Sequence, residues 1–350
     1  PMDKHLRDLY TDYLIASFGP TTATGLSRLL DDEISHDRIT RLLGSERQTA
    51  ADLWCAVKPL VRQVERDDAV LVIDDTIEEK PYTDENEIVC WHFDHAKGRT
   101  VKGIGLITAL YCTTHRGQAL SVPVSFDLVE KTQTYTDKKT GTEKRRSPTT
   151  KNERVRQMLK ACTDNKLRFR YVVADLWYGS AENMRYVKLN LEREFVFPLK
   201  SNRKVALSLA DKQAGRFQAV QALDLEPDRL YEAHVEGVPF ALRLMRQVFT
   251  NEDGSHGERY LVSSDVTLKE DTLSAIYQRR WRVEEYHKSL KQNAALAKSP
   301  TRKETTQTNH LFCSLLAFVK LERLKLTTSK NHFALKAKLY VKAVRSAFAE

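Results

Sequence analysis

Cysteine is scarce in this chain, and what little there is lacks pattern: Cys55, Cys90, Cys112, Cys162 and Cys313 are odd in number, widely spaced and form no C-x-x-C pair. That spacing argues against both a disulfide framework and a zinc site. Buried thiols in a reducing cytoplasm are what such a set implies. No apolar run approaches the roughly 18 residues of a membrane span, and no signal-peptide pattern is present. Internal repeats are absent. Anionic charge is in deficit: 47 Asp and Glu stand against 56 Lys and Arg, for a net charge of +9. That imbalance fits a polyanionic partner such as nucleic acid. What is present is ample for a globular protein of two or three domains, with 350 residues of which 41% are hydrophobic.

Residues 3–65 read as helical. Apolar periodicity over 25–30 and again over 36–43, separated by the polar turn at 31–34 and with Ser35 placed as an N-cap, predicts two short helices. Leu26, Leu29, Ile34, Ile39 and Leu42 are expected to pack together, leaving His36, Arg38, Thr40 and Arg41 outward. This is the pattern of a helix-turn-helix whose second helix enters a major groove, with Arg38 and Arg41 as DNA contacts. An ordinary helical hairpin with a solvated face would read the same way.

Residues 69–73 form a β-branched apolar run, the mark of a strand buried on both faces. Strands are also expected over 104–112, 119–126, 171–174 and 194–199, and helices over 151–163 and 179–189. Strands first, then helix–strand alternation, predict a mixed α/β sheet. Short alternating runs and turn signals make 200–265 a small β-rich insertion, after which helical periodicity returns from 268. The boundaries expected are therefore 1–65, 66–199, 200–265 and 266–350. Between 131 and 151, seven cations face only Asp137 and Glu143 amid Thr, Ser, Gly and Pro. The stretch reads as a mobile basic loop. Either it stays solvated, or Lys144, Arg145 and Arg146 contact DNA phosphates and order on binding.

Three carboxylates stand out. Asp75 follows the first buried run and Asp175 follows the second, so adjacent strands would bring two carboxylates together at the sheet's rim. Their repulsion is relieved by cations, and hard oxygen donors suit Mg²⁺ or Mn²⁺. Each is equally a common strand-end turn or cap residue. The third, Glu284, lies in a segment that reads as one continuous helix. There Tyr277, Arg280, Glu284, Lys288 and Lys291 fall within an arc of about 80°. Ile276, Val283, Tyr286 and Leu290 form a separate apolar arc that would seat the helix. Taken alone, the polar stripe is also a plain solvated face with i,i+4 pairs.

The spacing Tyr277-x2-Arg280-x3-Glu284-x6-Lys291, with Asp75 in an Asp-Thr context and Asp175 after a buried strand, resembles the bacterial insertion-sequence DDE transposases of the IS-four-like superfamily. The resemblance extends in order over about residues 20 to 325 and includes the stretch from His287 to Leu311. It implies a ribonuclease-H-like core with a β-rich insertion and an N-terminal helical DNA-binding region. Asp75, Asp175 and Glu284 would be catalytic residues that hold two Mg²⁺ or Mn²⁺ ions. Tyr277, Arg280, Trp281, Lys288 and Lys291 would contact DNA. The implied partners are double-stranded DNA, as transposon ends and target, and a second copy of the chain in a homodimer. Relatives also carry a Trp in the insertion that stacks on a flipped base. Here Trp54, Trp91, Trp177 and Trp281 all lie outside 200–265, so the resemblance does not carry base flipping over. Two other classes share these residues: a nuclease of the same fold without strand transfer, and a transposase-derived binding protein without activity.

Overall fold

A computed structural model describes residues 2–95, 97–251 and 253–349. Four helices lead, α1 (Lys4–Ala16), α2 (Ala23–Leu29), α3 (His36–Leu43) and α4 (Ala50–Val64). Leu26, Ile39, Leu42 and Leu43 are buried, and His36, Arg38, Thr40 and Arg41 point outward as expected. One expectation fails here, and one holds in position only. Leu29 is 70% exposed, because α2 ends there and the next turn carries the chain away. Ser35 holds the N-cap position of α3 without a side-chain bond.

The central sheet follows. Strand β1 (Val70–Glu79) runs antiparallel to the 17-residue β3 (Arg99–His115). Along the far edge of β3 lie β2 (Val89–Asp94) and β4 (Gln118–Leu128), end to end. A hairpin of β5 (Gln133–Thr136) and β6 (Glu143–Arg146) leads to helix α5 (Lys151–Asp164). That helix crosses back so that β7 (Tyr171–Ala174) pairs parallel with β1. A short helix α6 (Ala181–Arg185), continued by a π-helical turn to Asn190, delivers β8 (Glu194–Leu199) parallel to β7. The order β4-β3-β1-β7-β8 therefore places β1 at the middle, which is why Val70, Val72 and Ile73 have no exposed surface.

Residues 200–265 contribute β9 (Lys204–Ala206), a short helix α7 (Leu209–Gln213), β10 (Gln218–Ala219), β11 (Leu230–Val235), β12 (Leu242–Thr250) and β13 (His256–Ser263). These strands continue the same sheet, because β13 pairs with β8. Helices α8 (Glu270–Gln278), α9 (Trp281–Asn293), α10 (Glu304–Thr328) and α11 (His332–Ala347) complete the chain. Helix α10 is the spine of this half. It buries Phe312, Leu315 and Phe318, and its polar residues staple the first helices to it. Tyr10 of α1 meets His310 Nδ1 at 3.0 Å, and Asn309 accepts from the Gln48 backbone N–H and donates to the Leu43 carbonyl. Among the described residues no helix is long and apolar enough to cross a membrane.

Two readings of the sequence need correction. The basic stretch is not irregular: residues 133–146 form the β5–β6 hairpin, in which Arg146 lies over the Tyr135 ring and Lys144 pairs with Asp137. The segment carrying Glu284 is not one helix. It breaks between α8 and α9, where the Arg279, Arg280, Arg282 and Val283 N–H groups all bond three residues back instead of four.

Candidate active site

Asp75 lies inside β1 and not at its end, because β3 goes on pairing as far as Gly103 and Glu79. The parallel register Ile73↔Ala174 aligns Asp74, the next residue of β1, with Asp175, the residue after β7, and puts Asp75 one position further on. Asp175 is followed by a single 3-10 turn, Leu176–Tyr178. Its carboxylate caps no backbone N–H there, so the ordinary turn role is not the one it performs. Gly179 closes that turn: a Cβ at this position would stand 2.4 Å from the Pro198 carbonyl of β8, so only glycine lets the turn seat.

A cleft of about 640 Å³ opens at this rim, lined by Asp74, Asp75, Asp175, Arg280, Glu284 and Lys291 among others. The β1, β7 and α9 residues that the sequence spreads over more than 200 positions are thus brought to one concavity. Asp75 is held at both oxygens: Lys151 Nζ donates to Oδ2 at 2.6 Å and the Tyr178 hydroxyl to Oδ1 at 2.5 Å. Asp74 is more deeply buried. Burial pushes its carboxyl up to about 7, the Asp75 backbone N–H and Arg280 oppose that rise, and the charges of Asp75 and Asp175 add to it. Arg280 stands between carboxylates, with Nη1 3.8 Å from Asp74 and 3.5 Å from Glu284. The Glu284 side chain is 52% exposed and reaches into the cleft from the first turn of α9.

The expected stripe on this helix is split by the break at 279–280. Arg280, Glu284 and Lys291 line the cleft; Lys288 does not, and its ammonium sits 5.4 Å from the Phe333 ring centroid on α11. Tyr277 does not present a free ring. It is 4% exposed at the end of α8, with the Arg259 guanidinium 5.0 Å from its centroid, so stacking on a DNA base is not open to it. Trp281 is 56% exposed beside Arg280 and outside the cleft lining. Arg38 and Arg41 are exposed on α3, and Lys144, Arg145 and Arg146 belong to the β5–β6 hairpin. The apolar arc Ile276, Val283, Tyr286 and Leu290 is buried as expected.

Several cleft residues escaped sequence reasoning. Lys151 belongs to the basic count of 131–151, yet it opens α5 and bonds Asp75. Tyr178 carries a signal in retrospect, three residues past Asp175 in the same turn. His287 lines the cleft with its Nε2 buried and without a hydrogen-bond partner among the described residues. Burial, with Lys291 adding to it, pushes its imidazole down to about 4. At the mouth, Phe93 meets His95 edge-on, His95 stacks on Trp177 with centroids 4.3 Å apart, and the Lys200 ammonium lies 4.5 Å from the Trp177 centroid.

The donor set fits a hard divalent cation, since oxygen donors from three elements converge on one cleft. Among the described residues no three acidic, His or Cys side chains are drawn close enough to cage an ion. The protein's own cations stand among these carboxylates instead: Lys151 at Asp75 and Arg280 between Asp74 and Glu284.

The family model described as DDE superfamily endonuclease matches residues 3–218. That described as transposase DDE domain matches residues 132–319. No curated protein matches the chain.

Proposed function

The chain belongs to the DDE superfamily of endonucleases and transposases, and we propose that it is an insertion-sequence transposase, IS-four-like in its signature, that cuts and rejoins element ends. The observation that carries this reading is the convergence of Asp75, Asp175 and Glu284, with Arg280 and Lys291, on one cleft. The sheet order β4-β3-β1-β7-β8 supports a ribonuclease-H-like core, with residues 200–265 as its β-rich insertion.

Asp75, Asp175 and Glu284 would hold divalent ions, Mg²⁺ or Mn²⁺. Such ions supply activation of a water or 3′-hydroxyl and neutralise charge at the leaving oxygen. The chain's own residues do the positioning. Lys291 and Arg280 present cations to the phosphodiester, and the interior of β1 and the turn after β7 fix two of the carboxylates so that little reorganisation is needed. Exposed Arg38 and Arg41 on α3 suit recognition of the terminal repeats, and the β5–β6 hairpin suits backbone contact. Cut-and-paste movement by a homodimer on double-stranded DNA completes the proposal.

Asp75→Asn, Asp175→Asn and Glu284→Gln should each lower Mg²⁺-dependent nicking by at least about a thousandfold while duplex binding holds. Each amide keeps the shape and loses the charge that a hard cation needs. A variant that nicks normally would remove its residue from the site. Joining of pre-cut ends to a second duplex separates a transposase from a nuclease that only cuts.

A further inference from the structure

Both oxygens of Asp75 are engaged by the chain itself, and the two donors are held differently. Tyr178 is 2% exposed, in the turn after Asp175 that Gly179 seats against β8. It cannot leave without moving that turn. Lys151 opens α5, whose first turn is fixed by a capping box between Thr150 and Glu153. Its side chain is 41% exposed. A lysine stem has four rotatable carbons, so its ammonium can leave Asp75 by side-chain rotation alone, with α5 in place. The other cation paired with these carboxylates, Arg280, has no such freedom. Its side chain is 15% exposed, between Asp74 and Glu284 and beside Trp281.

We infer that Lys151 is an exchangeable positioning residue: in the metal-free protein its ammonium holds Asp75, and a divalent ion at Asp75 releases it to a phosphate oxygen of DNA in the same cleft. The inference rests on the metal-dependent reading above. Its logic is charge balance. Asp74, Asp75 and Asp175 crowd one rim, and Arg280 opposes the resulting rise at Asp74 while Lys151 is the cation bonded to Asp75. With a divalent ion present, the ammonium faces a like charge across one carboxylate, and the nearest anion is then the DNA backbone. Metal and DNA should therefore strengthen each other's binding, and such coupling is reciprocal.

Lys151→Gln keeps the length and removes the charge; Lys151→Arg keeps the charge. Two measurements on the full chain read the exchange. One is Mn²⁺ affinity without DNA, from electron paramagnetic resonance of the free ion. The other is affinity for a random-sequence duplex with and without Ca²⁺. Lys151→Gln should bind Mn²⁺ about three- to tenfold more tightly than the native chain, because the competitor is gone. The Ca²⁺-induced gain in duplex affinity, expected at about five- to tenfold in the native chain, should fall below about twofold in Lys151→Gln and persist in Lys151→Arg. Mn²⁺ affinity unchanged or weakened in Lys151→Gln, or an intact Ca²⁺ gain, overturns the inference. Asp75→Asn tells the two failures apart. If it binds Mn²⁺ as well as the native chain does, the metal reading of the cleft falls. If it loses Mn²⁺ while Lys151→Gln is unchanged, only the lysine's role falls.

Discussion

Asp74 and Asp75 are neighbours in sequence with opposite settings. Asp75 accepts from Lys151 and Tyr178 and has polar company at both oxygens. Asp74 is largely desolvated, and its carboxyl is pushed up to about 7, so near neutral pH a large share of it is protonated. The Asp-Thr context selects Asp75, and Asp75 is the one of the two that the chain's own donors hold at both oxygens. Asp74→Asn should therefore keep Mg²⁺-dependent nicking within about tenfold of native, about 1.4 kcal/mol in barrier. Single-turnover nicking of a duplex compares it with Asp75→Asn directly; equal losses would make Asp74 a member of the site.

Among the elements, His310 shows how α10 ties the first helices down, and it makes a pH-dependent contribution. Its ring is buried between the Tyr10 hydroxyl and the Ala295 carbonyl, 3.0 Å from each. Burial pushes its imidazole down to about 4, and the hydrogen bond to Ala295 resists that only in part. The sign follows from proton binding. Between about 6.5 and about 4 the unfolded chain takes up a proton that the folded chain refuses. The contribution is thus complete above about 6.5 and is lost as pH falls, at up to about 1.4 kcal/mol per unit. His310→Gln should be less stable at pH 7 by about 1–3 kcal/mol, through an impaired Tyr10–Ala295 bridge. It should also lose less stability on acidification than the native chain. Urea unfolding at several pH values between 7 and 4.5 measures both, and parallel slopes would refute the assignment. The first half of β1 was legible as an unbroken apolar run, but its continuation to Glu79 was not, because residues 74–79 are mostly polar and half-buried. Strands β7 and β8 emerge at the bounds read from their apolar runs. Strand β2 was not legible, since its short run alternates with exposed Trp91 and Phe93. Nor was the α8–α9 break, across which helical periodicity continues unbroken while the hydrogen bonds tighten. Asp75, Asp175 and Glu284, which line one cleft, could be picked out from local context. Lys151 was not, because its role depends on a contact spanning 76 positions.

At the scale of the whole molecule the net charge of +9 is not evenly useful. Many cations are committed internally: Arg154 to Asp127, Arg170 to Asp265, and Lys151 to Asp75. The β5–β6 hairpin is different. Its residues are largely exposed, and its cations meet only light partners. Lys144 pairs with Asp137 within the hairpin, Arg145 is 3.8 Å from Glu85, and Arg146 rests on Tyr135 and Gln133. Exposed pairs of this kind are worth little and are readily exchanged for phosphates. A segment that neutralises phosphates releases condensed counterions, with a slope of about −0.9 in log affinity against log salt per phosphate on duplex DNA. Replacing Lys144, Arg145 and Arg146 with Ala removes up to three such contacts. The slope should therefore flatten by roughly one to three units, the lower end applying if Asp137 and Glu85 keep part of the charge engaged in the native chain. Sequence preference should hardly move, because phosphates carry no base identity. Since the hairpin is a built element and not a loose loop, the same substitutions should leave thermal stability nearly unchanged, as expected for exposed side chains outside the core. Fluorescence titration of a labelled duplex across a range of salt concentrations decides the matter. An unchanged slope would mean that the hairpin's charges serve solubility and that the DNA path lies elsewhere on the molecule.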